Sequence, residues 1–318
     1  MSRTAFVFPG QGSQYVGMGQ MLGHVSPAAA EVFRACDDAL GESLTQLCFE
    51  GPQEALDQTI NAQPAILATS IAYLRAWQEQ AGPDAPTPAF YAGHSMGQYS
   101  AMVAAGVISL ADGLRLVRER GRQMQASASD GAMAAIIGLP DEHLPELVAA
   151  GESAGIFTIA NRNSPGQVVI SGERSAVDAA SEAAKALGAK RALPLPVSVA
   201  AHSPLMSRAA EGMRGVLAGV EFADPAAPLL ANADAQLLET GETCREELVE
   251  HLTRGVDWVA AVEAMSAAGA TRFVEVGPGK VLTGLIKRIA PDAEAHALDD
   301  SSAAGRLSLP IPLTGAAS

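Results

Sequence analysis

The chain opens on Thr4-Ala5-Phe6-Val7-Phe8, an unbroken apolar run closed by Pro9-Gly10. Such a run is too short for a helix and predicts a buried strand. A glycine-bearing loop follows over residues 11–19. Apolar positions then recur at helical spacing around residues 28–39, 54–56 and 65–80. The segment GPDAPTP at 82–88 is a connector of turn formers, and residues 89–92 make a short strand candidate. Residues 98–105 and 110–125 return to helical spacing.

From about residue 128 the pattern changes. A strand over 132–138 precedes a helix over 141–150. Strands over 157–161 and 167–171 are joined by the turn Asn163-Ser164-Pro165-Gly166. A helix over 175–187 and a strand over 190–195 complete a β-α-β-β-α-β order, the ferredoxin-like unit. Pro194 and Pro196 mark its exit. Strand–helix alternation then resumes, with strands at 229–231 and 272–276 and helices at 244–252, 259–268 and 279–289. The expected fold class is α/β: a parallel sheet with helices on both faces, interrupted by a small insertion. Residues 1–127 and 198–300 form the large subdomain, 128–197 the small one, and 301–318 a loose tail.

Composition narrows the classes. The 318 residues are 48% hydrophobic and 18% charged, which excludes a disordered chain. No stretch approaches the length of apolar residues that spans a bilayer, and the first residues do not read as a signal peptide. Cys36, Cys48 and Cys244 are odd in number and far apart, so neither a disulfide framework nor a metal site is expected. These features predict a cytoplasmic protein. The net charge of −14, from 21 Lys+Arg against 35 Asp+Glu, argues against nucleic acid and anionic membrane surfaces as partners. An acidic protein partner would need a local basic patch.

Gly93-His94-Ser95-Met96-Gly97 matches G-x-S-x-G. With a strand before it and a helix after it, this is a nucleophile elbow, a sharp turn that thrusts a serine hydroxyl into the open. Ser95 also sits at a helix N-terminus, where backbone N–H groups favour a developing oxyanion. The alternative is a helix cap.

A nucleophilic serine needs a base. His94 neighbours Ser95 on a turn, so the two side chains point apart. His143 falls in the insertion and His296 near the tail. His202 ends the strand-like run 197–201 before Ser203-Pro204, which places it at a sheet edge as a candidate base. It could instead cap a helix beginning near Pro204.

Arg120 abuts the apolar stripe Leu110, Leu114, Val117, Gly121 and Met124, whereas Arg115, Arg118 and Arg122 read as solvent charges. A buried guanidinium calls for an anion: a ligand carboxylate, or an internal Asp or Glu. Two tempting motifs fail. Gly10-Gln11-Gly12 lacks the third glycine of a dinucleotide loop, and Gly277-Pro278-Gly279-Lys280 lacks both the first glycine and the hydroxyl of a P-loop.

Taken in order, Phe8-Pro9-Gly10-Gln11-Gly12-Ser13-Gln14, Gly93-His94-Ser95-Met96-Gly97-Gln98, Arg118-Glu119-Arg120-Gly121, Asn163-Ser164-Pro165-Gly166-Gln167, His202 and Glu275-Val276-Gly277-Pro278-Gly279 resemble the malonyl-CoA:acyl-carrier-protein transacylases of fatty acid synthesis. The resemblance runs from about residue 4 to 290. It implies an α/β-hydrolase-like large subdomain with a ferredoxin-like small one. It implies Ser95 as nucleophile, His202 as its base, and the N–H groups of Gln11 and Met96 as oxyanion hole. Arg120 would bind the malonyl carboxylate, and Gln63, Asn163, His94 and His251 would line the cleft. The substrate would be malonyl-CoA and the partner an acyl carrier protein. No cofactor or metal would be bound, since the phosphopantetheine arrives on the carrier.

The chain departs from the family at Gln98, where an acidic residue is usual, and at His251, where glutamine is usual. The backbone carbonyl at 251 is expected to orient His202, and a carbonyl belongs to any residue. The His251 ring could instead serve as a second base. No Asp stands out as a third triad member, which fits a Ser–His dyad. Lys185, Lys190, Arg191, Lys280, Lys287 and Arg288 are candidate contacts for an acidic carrier, or a solvated face. A trans-acting polyketide acyltransferase and an acyl-thioester hydrolase are the neighbouring readings. A non-catalytic carrier-docking module would leave Ser95, His202 and Arg120 without purpose.

Overall fold

The computed structural model describes residues 3–127, 130–197 and 199–298. The expected tail, 301–318, lies outside them. Strand β1 (Arg3–Phe8) leads through α1 (Gln20–Val25), α2 (Pro27–Leu40), α3 (Leu44–Glu50) and α4 (Gln53–Leu56) to α5 (Thr59–Ala81). Then come β2 (Phe90–Gly93), α6 (Gly97–Ala104) and α7 (Leu110–Ala126). The insertion holds β3 (Gly131–Ile137), α8 (Leu144–Glu152), β4 (Phe157–Ser164), β5 (Gln167–Glu173), α9 (Arg174–Ala186) and β6 (Arg191–Pro194). The return comprises α10 (Ser207–Leu217), β7 (Leu229–Leu230), β8 (Leu237–Leu238), α11 (Gly241–Glu250) and β9 (Val256–Asp257). It ends with α12 (Trp258–Ala267), β10 (Ala270–Glu275), α13 (Val281–Ile289) and β11 (Glu294–Ala297).

The large sheet runs β11-β10-β1-β2-β7-β8. Its pairs are parallel except β7 with β8 at the edge. One face packs on α2, α5, α6, α7, α10 and α11, and the other on α12 and α13. This covering of both faces is what an apolar strand such as Ala5-Phe6-Val7-Phe8 requires. Phe8 stands opposite Gly93, and Ala92 opposite Leu230. The chain therefore leaves β1, β2 and β7 at one edge of the sheet, the carboxyl end where parallel α/β sheets collect functional groups.

The small sheet runs β6-β3-β5-β4-β9, with its first four strands antiparallel. Helices α8 and α9 cover one face. Its fifth strand, β9, comes from the return segment and pairs parallel to β4. Among the described residues no helix is long and apolar enough to cross a membrane.

Several expectations need correction. The run at 197–201 is not a strand: the described residues there are irregular, and His202 has φ 59°. Pro196 and the packing of Ala200 against Gly131 set that path rather than sheet pairing. Strand β4 extends through Asn163, so the hairpin turn is Pro165-Gly166 alone. Helix α5 starts six residues before the expected 65 and contains Pro64. A proline costs one helical hydrogen bond, and burial of the surrounding Ala62, Ala65, Ile66 and Leu67 outweighs it. Arg118 is not a solvent charge; it donates to Asn61 Oδ1 at 2.8 Å and pairs with Glu42.

Candidate active site

The elbow is built by close approach. A Cβ on Gly93 would lie 2.1 Å from the Gly97 carbonyl carbon, and one on Gly97 would lie 2.2 Å from the Phe8 oxygen. Only glycine lets the turn close on itself and against β1. Between them Ser95 adopts φ 53°, a left-handed conformation costly for a residue with a Cβ. Its N–H donates to Asn232 Oδ1 at 2.8 Å. Gln98, fully buried, accepts from the Gly93 N–H at 3.1 Å and donates to the Leu230 oxygen at 3.0 Å. The amide at this departure thus stitches β2 to β7, which needs a donor as well as an acceptor.

Ser95 Oγ lies 2.8 Å from His202 Nε2. His202 Nδ1 lies 2.6 Å from the His251 oxygen and 3.2 Å from the Arg254 oxygen. Two carbonyls hold the ring proton on Nδ1 and leave Nε2 to accept from the serine. His202 is buried, and burial pushes its pKa down to about 3. The nearby Arg120 charge contributes to that lowering after burial, and the His251 carbonyl opposes it. The imidazole is neutral and able to take a proton.

Arg120 is 2% exposed. Its Nη1 donates to Gln63 Oε1 at 2.8 Å and its Nη2 to Ser95 Oγ at 3.3 Å. Among the described residues it forms no ion pair with a carboxylate. The internal Asp or Glu that a buried guanidinium could have taken is not supplied. Gln63, fully buried, lies behind the guanidinium and donates to Thr59 Oγ1 at 2.8 Å. Thr59 in turn donates to Gln11 Oε1 at 2.9 Å. A chain of hydrogen bonds therefore runs Gln11–Thr59–Gln63–Arg120–Ser95. Thr59 was invisible to sequence reading because it precedes Pro64.

The backbone N–H groups of Gln11 and Met96 have no acceptor among the described residues; Met96 is the N-cap of α6. His94 Nε2 lies 2.8 Å from Asn163 Oδ1, which ties the elbow to the small sheet. Burial lowers the His94 pKa.

The His251 ring does not line the cleft. It is fully buried and edges against Tyr99 and His202, with ring centroids 6.0 and 6.1 Å away. Neither ring nitrogen makes a hydrogen bond among the described residues. Its carbonyl lies 2.6 Å from His202 Nδ1 while its ring packs edge-on against the His202 ring, away from Ser95 Oγ.

Sequence reading missed Asn232 and Glu247, both buried. Of the candidate docking cations, Lys185 pairs with Glu182 at 2.7 Å and Arg288 donates to Gln167 at 2.9 Å. Lys190, Arg191, Lys280 and Lys287 are exposed.

A family model described as the acyl transferase domain matches residues 5–307. The chain belongs to the acyl transferase family. This acyl transferase is 47% identical over 305 residues to the malonyl CoA-acyl carrier protein transacylase of Escherichia coli K12, covering 95% of this chain and 98% of that relative. A crystal structure of an acyl carrier protein S-malonyltransferase from Vibrio cholerae superposes with a TM-score of 0.90 at 44% identity, covering 94% and 97% of the two chains. A malonyl-transacylase solved in complex with a type II polyketide synthase acyl carrier protein gives a TM-score of 0.89, also at 44% identity and with the same coverage.

Proposed function

We propose that this acyl transferase moves a malonyl group from malonyl-CoA to the phosphopantetheine thiol of an acyl carrier protein, through a malonyl ester on Ser95. The carrying observation is the buried guanidinium of Arg120, which pairs with no carboxylate among the described residues and touches the same hydroxyl that meets His202. A site that keeps a buried cation beside its nucleophile suits an acyl group with a negatively charged end. The names of the relatives fit that cargo.

His202 Nε2 takes the Ser95 proton as Oγ attacks the thioester carbonyl. The N–H groups of Met96 and Gln11 receive the oxyanion, Met96 from a helix N-terminus. Collapse breaks the C–S bond, and the CoA sulfur leaves with the proton from Nε2. The malonyl ester remains, its carboxylate on Arg120. In the second half the carrier thiol gives its proton to Nε2 and attacks the ester. Ser95 Oγ departs and recovers the proton, a ping-pong cycle. The His251 and Arg254 carbonyls steady the imidazolium that forms in each half.

In this reading the large layer, 1–127 and 198–300, is the α/β-hydrolase-like catalytic part. The insertion, 128–197, is ferredoxin-like and closes the cleft through Asn163. Three free, buried cysteines suit a cytoplasmic setting. The carrier docks by its acidic surface near Lys190, Arg191, Lys280 and Lys287.

The test is mass spectrometry after incubation with malonyl-CoA. A malonyl adduct on Ser95 that disappears when carrier protein bearing phosphopantetheine is added is the expected result. Rapid release of free malonate would instead mark a hydrolase, and no adduct on Ser95 would overturn the reading. Comparing fatty acid and polyketide carriers as acceptors separates the two pathways.

A further inference from the structure

The two members of the dyad approach each other from distant parts of the chain, and both stand in left-handed backbone, with φ 53° at Ser95 and 59° at His202. Such conformations persist only where surrounding contacts over-determine them. The contacts converge on one helix. Glu247 Oε1, on the last turn of α11, accepts from the Asn232 N–H at 2.7 Å. Asn232 Oδ1 then accepts from the Ser95 N–H at 2.8 Å. Four residues on from Glu247, the carbonyl of His251 at the C-cap of α11 accepts from His202 Nδ1 at 2.6 Å. The Asn232 carbonyl is also engaged, by the Asp257 N–H at 2.7 Å, so the asparagine is held at both ends of its backbone. Asn232 is 3% exposed and Glu247 6%.

We propose that Asn232 and Glu247 are positioning residues: through them α11 holds the Ser95 backbone while its own C-terminus holds the His202 ring, so one turn of helix sets the distance between nucleophile and base. The arrangement has a second consequence. With its N–H committed to Asn232, Ser95 cannot donate to an oxyanion, which leaves that task to Met96 and Gln11.

The inference rests on Ser95 being the nucleophile, and the test separates the two. A fluorophosphonate reacts with an activated serine by forming an Oγ–P bond and expelling fluoride, the serine proton passing to the base. It carries no malonyl carboxylate and so does not depend on Arg120 as a clamp. Wild type should label on Ser95. Asn232→Ala and Glu247→Ala should lower the maximal labelling rate by about tenfold to a hundredfold, with the half-saturating concentration little changed. Glu247→Gln keeps an acceptor for the Asn232 N–H and should stay within about threefold of wild type. If Asn232→Ala does not fold, as judged by its melting transition, the Glu247 pair carries the comparison. Equal maximal rates in folded Asn232→Ala, or in both Glu247 variants and wild type, would overturn the positioning role alone. No labelling of wild-type Ser95 would overturn the nucleophile reading and this inference with it.

Discussion

Arg120 Nη2 lies 3.3 Å from Ser95 Oγ, so one hydroxyl touches a buried cation and the His202 imidazole at once. In the proposed reaction, recognition of the cargo and activation of the serine are therefore coupled. An anion on Arg120 would offset the charge that helps to hold the His202 imidazole below its ordinary basicity.

Removing the cation should remove the preference. Arg120→Ala should lower kcat/KM for malonyl transfer by about thirtyfold or more, the equivalent of about 2–5 kcal/mol for a buried charge pair. Acetyl transfer should lose far less. Measuring both thioesters with one enzyme preparation gives the ratio, and an unchanged ratio would remove Arg120 from specificity.

Supplying the missing anion internally should have a related effect. Gln63→Glu replaces the amide oxygen 2.8 Å from Arg120 Nη1 with a carboxylate of the same shape. The malonyl group would then meet a guanidinium already paired. Malonyl transfer should fall while acetyl transfer holds or rises, read from the same two kcat/KM values.

The pH dependence of Ser95 reactivity should move in a definite direction. With His202 pushed down to about 3, the free enzyme keeps a neutral base through mildly acidic pH. Labelling by a fluorophosphonate should therefore be nearly flat from about pH 5 to 8, well below the ordinary histidine range. In Arg120→Gln a neighbouring positive charge is gone, which favours the imidazolium and raises its pKa. The acid limb should shift to higher pH. A limb at the same pH in both proteins would show that the Arg120 charge does not reach the base.

Glu247 gives a stability prediction of opposite sign to the histidines. Burial pushes its carboxyl up to about 7, against the Asn232 N–H, which lowers it. Above its unfolded value the native state holds more protons than the unfolded chain. The contribution is full below about pH 4.5 and is lost as pH rises through about 7. His202 and His251 are buried neutral, so their stabilising effect is full above about pH 6.5 and fades below it. Glu247→Gln should abolish the part of the fall in melting temperature that comes as pH rises from about 4.5 to about 7 and leave the histidines' loss at low pH intact. A fall of the same size in the variant would place its cause elsewhere.

The elbow was legible because it is local: a short apolar strand, two glycines around Ser95 and a helix after it lie within a dozen residues. Arg120 was legible for a similar reason, since helical spacing alone sets it on the apolar side of α7. The β-α-β-β-α-β order of the insertion also showed in its alternating elements. The path into His202 was misread because Val197, Val199 and Ala200 look like a strand by composition, while tertiary packing keeps that stretch irregular. The early start of α5 was hidden by Pro64, and with it the place of Thr59 in the site. Residues 256–257 joined the small sheet from outside the insertion, as a pair too short to show any period.

By itself the sequence determined the α/β class, the sharp turn that presents Ser95, and a cation on the apolar side of a helix, because each depends on neighbours one or two turns away. Only the tertiary structure decided that Asn232 holds a serine amide 137 residues away and that Arg120 pairs with no carboxylate among the described residues. It also decided that His251 turns its carbonyl to His202 Nδ1 while its ring stays fully buried. Such contacts are made by backbone groups or by lone polar side chains brought together through long loops, and these leave no periodic trace along the chain.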